Sequence, residues 1–275
     1  MEYVSSKHVL KTKLFAVIFF FLGFNYIEAQ LISVQQNLPG ESQEDFVERL
    51  VRDVLIGSEC ISNDDIFNIS SSTGLDFNGI TGGNNPNGIG FFDFGNASFP
   101  CDNPSNPFQT GVLITSGNAA EVVNTSTPTL SSGGIDWLGD PQLNQKITES
   151  LPQGEDPFNS INATSIEFDF RASSENFSFS FFMASEEYNL TYECEFSDAF
   201  AFILTRPDGT SENLAIIPGT NFPITVTNVH DTDCTGTGVL PVGEMFFCGN
   251  SGANSFFVFD GYTKPFLASK SSRNA

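Results

Sequence analysis

Apolar and polar positions alternate with a period of two in several short runs, and that spacing predicts strands. From Ser165 to Ala172, Ile166, Phe168 and Phe170 alternate with Glu167, Asp169 and Arg171, as in a strand with one face buried. Phe177, Phe179 and Phe181 alternate with Ser178 and Ser180 in the same way. From Ala199 onward, Phe200, Phe202 and Leu204 share one face, and Ala199, Ala201 and Ile203 share the other. That segment reads as a strand buried on both sides. Shorter apolar runs at Phe91–Phe94, Val112–Thr115, Leu214–Ile217, Ile224–Val229 and Ser255–Phe259 predict further strands. Only Glu44 to Leu55 has a helical rhythm, with Phe46, Val47, Leu50, Val51, Val54 and Leu55 in a stripe. Ser42 is placed to cap its start and Gly57 to end it. Gly79 to Gly90 is too rich in Gly and Asn for a strand and lacks the ending of a phosphate loop. The expected fold is mainly β, a jelly-roll-like β-sandwich with one N-terminal amphipathic helix and long loops.

The ends of the chain depart from this pattern. Lys7, Lys11 and Lys13 precede an apolar run from Leu14 to Phe24, and Ala29 follows it. This is the layout of a cleaved secretory signal over residues 1–29, with an apolar core too short to span a bilayer. No later segment approaches the ~20 apolar residues of a membrane span. A flexible leader is expected over 30–41, the folded domain over 42–262, and an irregular basic tail over 263–275. The chain carries 33 acidic against 11 basic residues. Such a balance repels phosphate backbones and anionic membranes, which excludes nucleic acid as a partner, and it supplies oxygen ligands for hard cations.

An exported chain with five cysteines, Cys60, Cys101, Cys194, Cys234 and Cys248, is expected to form disulfides rather than a zinc site. Chain order favours Cys60–Cys101 and Cys234–Cys248 with Cys194 left over; Cys194–Cys234 and Cys194–Cys248 remain open. Between the Phe177 and Phe200 strands lies a polar loop that opens on Glu186 and Glu187 and closes on Asp198. Carboxylates at the ends of rigid strands, with few cations nearby, are candidates for calcium. The simpler reading is that they solvate the loop and cap strand ends. Asp136 and Asp140 form a weaker second set, flanking Trp137, which is either a sugar platform or core. With His8 in the signal, only His230 is left for a Ser-His-Asp triad, and no nucleophile elbow accompanies it. A carboxylate-dependent glycosidase remains the enzymatic alternative.

Several segments carry a family resemblance. Phe177–Tyr188 (FSFSFFMASEEY) and Ser197–Thr205 (SDAFAFILT) are similar to the choice-of-anchor L domain. So, in the family's order, are Glu44–Gly57, Gly111–Asn118, Gly139–Leu143, Asn162–Phe170, Asn213–Thr220 and Val229–Asp231. The resemblance implies a secreted or cell-surface protein, mainly of Bacteroidetes, with no known reaction and a C-terminal anchor that varies. It also implies closing strands beyond Asp260-Gly261-Tyr262 that are not found here, so the domain is expected to be truncated and without its sorting domain. The function expected is a non-catalytic binding or adhesion module for a protein or glycan ligand, with calcium as its candidate stabilising ion and a lectin-like carbohydrate-binding module as the alternative.

Overall fold

The computed structural model describes residues 32–57, 62–72, 87–95, 109–123, 137–151, 156–172, 176–250 and 259–271. Met1–Gln30 and Leu31–Ala275 are separate units. The expected signal lies outside the described residues, as do Cys60, Cys101, Asp136, Ser255–Val258 and most of the glycine-rich run. The second unit is mainly β, built from small antiparallel sheets of two or three strands among the described residues.

The N-terminal helix forms as the stripe predicts. Ser42 Oγ accepts from the Asp45 N–H at 3.1 Å, and Gly57 ends the helical run at φ 78°. Gln43–Arg49 is α-helical, but Leu50–Ile56 relaxes into π-type turns. Apolar residues spaced at four, Phe46–Leu50–Val54 and Val47–Val51–Leu55, drift around an α-helix of 3.6 residues per turn. Wider π turns keep them on one face. That face buries Phe46, Val47, Leu50 and Val51 against Ile66 and Ile89.

The 30–41 leader is not irregular throughout. Ser33–Gln35 (β1) pairs with Ile89–Asp93 (β3), which pairs with Thr110–Ile114 (β4). Ile66–Ser72 (β2) pairs with Ser165–Phe170 (β5), whose Glu167 and Asp169 face outward as the alternation requires. The run from Ala199 splits, which corrects the expectation of one strand buried on both sides. Ala199–Phe200 (β8) pairs with Ile224–Thr225 (β11), and Ile203–Thr205 (β9) pairs with Ser211–Asn213 (β10). At the switch, Asn213 Oδ1 takes the Phe202 N–H at 3.0 Å, so a side chain replaces a ladder bond. Of this run only Leu204 is buried, and the rest are half-buried or exposed.

The tail expected to be irregular from residue 263 is also corrected. Gly261–Thr263 (β13) lies between Ala184–Ser185 (β7) and Phe247–Asn250 (β12). Phe266–Ser271 (β14) then pairs with the whole of Asn176–Phe181 (β6). Its period is legible afterwards: Phe266 and Ala268 are buried and Leu267 and Ser269 exposed. Lys264, Lys270 and the serines disguise it. Beneath β7, β8, β11 and β14 lies a core of Met183, Tyr188, Ala215, Ile217, Ile224, Val226, Val229, Phe247 and Phe266. Ring pairs Phe181–Phe200 and Tyr188–Phe247, at 4.7 and 4.9 Å, tie its sides together. The acidic loop sits on this core.

Candidate functional site: a carboxyl pair under a stapled loop

Strand β7 ends at Ser185, which is buried by its pairing with Gly261. β8 begins just after Asp198, whose carbonyl accepts from the Val226 N–H at 3.0 Å. Two strand ends thus bring three side chains together. The Ser185 hydroxyl lies within hydrogen-bonding reach of Glu187 Oε2 and, at 2.7 Å, of Asp198 Oδ2. It also receives the Glu187 N–H at 3.1 Å. A serine hydroxyl has one proton to donate. It cannot satisfy two carboxylates at once, so one of the pair must itself carry a proton or a cation must stand between them.

The electrostatics agree. Burial, then the hydrogen bond and charge of Glu187, push Asp198 up to about 7, against a smaller lowering by Ser185. Asp198 keeps partial exposure as a residue, but its carboxyl is turned onto this pair. Burial also raises the Tyr188 phenol, with Asp198, Glu193 and Glu187 adding to the effect. Its hydroxyl is buried without a hydrogen-bond partner from the protein, as is Glu193 Oε2. Among the described residues, no Lys or Arg forms an ion pair with Glu187, Glu193 or Asp198.

Above the pair the loop is braced. Asn189 Nδ2 donates to Asp260 Oδ2 at 3.0 Å. Residues Tyr192–Cys194 form a 3-10 turn, and Cys194 is disulfide-bonded to Cys234. Of the pairings left open by chain order, this is the one formed; Cys194 is not left over and Cys234 does not pair with Cys248, which is disulfide-bonded elsewhere. Buried Glu193 accepts from the Thr232 hydroxyl. The same Thr232 donates its N–H to His230 Nδ1 at 3.2 Å. His230 Nε2 lies 3.7 Å from Cys234 Sγ. Burial holds this imidazole below its ordinary range. Both nitrogens of His230 thus face the loop's own frame rather than a serine. Asp233 is likewise used structurally, accepting the N–H groups of Thr235, Gly236 and Gly238 at 2.6–3.0 Å.

The residues singled out from sequence are therefore sorted. Glu187 and Asp198 come together; the contacts that join them do not include Glu186. Asp140 caps the helix Pro141–Thr148, its Oδ1 accepting from the Leu143 N–H at 2.8 Å. Trp137 is core, 4% exposed, with its Nε1–H on the Ala163 carbonyl, so it offers no sugar platform. Among the described residues no group of three or more His, Cys, Asp or Glu is gathered to hold a metal ion. Sequence reasoning passed over Ser185, Tyr188, Glu193 and Thr232. Ser185 and Tyr188 sit inside the ASEEY motif, but nothing in a one-dimensional pattern brings the Ser185 hydroxyl to a carboxyl 13 residues further along the chain.

No helix among the described residues is long and apolar enough to cross a membrane. No curated protein and no solved structure matches the chain. A family model does, over residues 37–272, a span that takes in β14 as well as the ASEEY loop. The chain belongs to the choice-of-anchor L domain family.

Proposed function

We propose that this chain is a secreted or surface-held, non-catalytic binding module whose recognition loop is locked from below by a shared-proton clasp between Glu187 and Asp198. One observation carries the reading. The polar groups suited to chemistry are consumed in holding the loop: Ser185 stands between the two carboxyls, and Thr232 serves both Glu193 and His230. A loop held this way presents its outer side chains with little ordering left to lose, which favours binding. The family, which is not a known enzyme family, is compatible with the same reading.

Two carboxyls sharing one proton are also the arrangement of a hydrolytic dyad. A turnover screen decides between them. The purified chain is incubated with glycan and peptide panels beside its Glu187→Gln and Asp198→Asn variants. The expected result is no product that depends on either carboxyl. Turnover abolished by one of these substitutions overturns the proposal.

Calcium in place of the proton is the second reading. What favours it is that, among the described residues, no Lys or Arg forms an ion pair with Glu187 or Asp198, and a divalent ion relieves such repulsion. The ion's remaining oxygens would have to come from backbone and water. Calcium would then raise the melting temperature and a chelator lower it. Identical curves exclude this second reading.

A further inference from the structure

The tip of the stapled loop bears an unusual residue. Leu190 has φ 64° and is 77% exposed. Left-handed backbone suits Gly or Asn and strains a branched side chain. A leucine held in water gains no burial to offset that strain. In the same loop Tyr192 and Phe196 are 45% and 54% exposed, and their rings meet edge to face at 5.8 Å. The tip is fixed by the Asn189–Asp260 hydrogen bond on one side and the Cys194–Cys234 bond on the other. A strained, rigid, apolar projection is the form of a docking element.

Charge says what it docks. Glu195, next to Phe196 in the chain, and Asp231, next to the Thr232 that bonds Glu193, are exposed, and the chain as a whole carries −22. A second copy of so acidic a chain would be repelled, and so would an anionic membrane. The two rings stand at 71° and make no flat platform for a sugar ring. We infer that the Leu190–Tyr192–Phe196 tip docks a cationic protein segment that brings apolar side chains to its centre and Lys or Arg to its rim. This inference rests on the binding-module reading and adds the site and the class of partner.

The test uses the disulfide-bonded chain and three synthetic amphipathic peptides of one length and pattern: Lys/Leu, Lys/Ser and Glu/Leu. Binding is followed by fluorescence anisotropy, and folding of each variant by its melting curve. The Lys/Leu peptide is expected to bind, with the other two weaker by roughly tenfold or more. Leu190→Gly, which relieves the backbone, is expected to melt no lower than wild type yet lose roughly tenfold or more in Lys/Leu affinity. Phe196→Ser is expected to weaken the same peptide. Equal binding of Lys/Ser, no binding of Lys/Leu, or unchanged affinity in Leu190→Gly would overturn the inference. So would a dimer in sedimentation that Leu190→Gly dissociates, since the occupant would then be a second copy. Any of these leaves the binding-module reading standing, whereas carboxyl-dependent turnover removes that reading itself.

Discussion

Removing the Cys194–Cys234 bond, by Cys194→Ser together with Cys234→Ser, is expected to cost about 4 kcal/mol of unfolding free energy. The bond closes a loop of 40 residues. The chain-entropy relation for a loop of that size gives ~4 kcal/mol at room temperature. Ordinary domains are stable by only about 5–15 kcal/mol, so the loss is a large part of the whole. Native-state contacts add to it locally. Glu193 precedes Cys194, and its carboxylate is buried on Thr232 only while the two loops stay together. Urea unfolding of the double variant against wild type gives the difference directly. A loss below about 1 kcal/mol would mean that side-chain packing, and not loop closure, holds the tip in place.

The second large effect lies in the Gly139–Leu143 motif. Gly139 runs alongside Ser160, where Asn162 N–H donates to the Trp137 carbonyl and Ala163 N–H to that of Leu138, at 3.0 and 3.1 Å. A Cβ at Gly139 would stand 1.9 Å from the Ser160 carbonyl oxygen and 2.6 Å from its carbon. These are backbone atoms and cannot swing aside. Gly139→Ala must therefore push two paired segments apart, with an expected loss of about 3 kcal/mol. The shift also pulls Asp140 off the Ser160 hydroxyl, 3.0 Å from its N–H, and disturbs the cap of the following helix. Thermal melting checks it; an unchanged melting temperature would mean that the close approach is not required by the fold.

The β character, the N-terminal helix and the strand at Asn176–Phe181 were legible because each rests on a period. β5 and β6 have clean alternation over six residues, and the helix has a stripe bounded by Ser42 and Gly57. Where side chains replace ladder bonds, as Asn213 does at Phe202, a period does not show the break. β14 was hidden by its composition: Lys270 and the serines make the strand look polar on average although Phe266 and Ala268 are buried. At the site, sequence reading found Glu187 and Asp198 because carboxylates at strand ends stand out. The order-based cysteine pairing gives way to Cys194–Cys234, because proximity in space across β7, β8 and the Thr232 turn is set by strand pairing, which spacing along the chain does not encode.

The most direct test of the clasp is the melting temperature of wild type and Asp198→Asn from about pH 5 to about pH 8, each with calcium and with a chelator. In the unfolded chain Asp198 releases its proton near the usual ~3.9. In the folded protein it holds it up to about 7. Between those values the native state binds the extra proton, so this group's contribution to stability is full at acid pH and is lost as pH rises to about 7. Acidity of the whole chain adds its own slope, which both proteins share, so the difference between them isolates Asp198. The predicted result is a wild-type melting temperature that falls with rising pH more steeply than that of Asp198→Asn, the variant melting higher at the alkaline end, and both indifferent to calcium. A wild type that gains stability toward pH 8, or an Asp198→Asn variant that melts lower than wild type throughout, would contradict the shared proton.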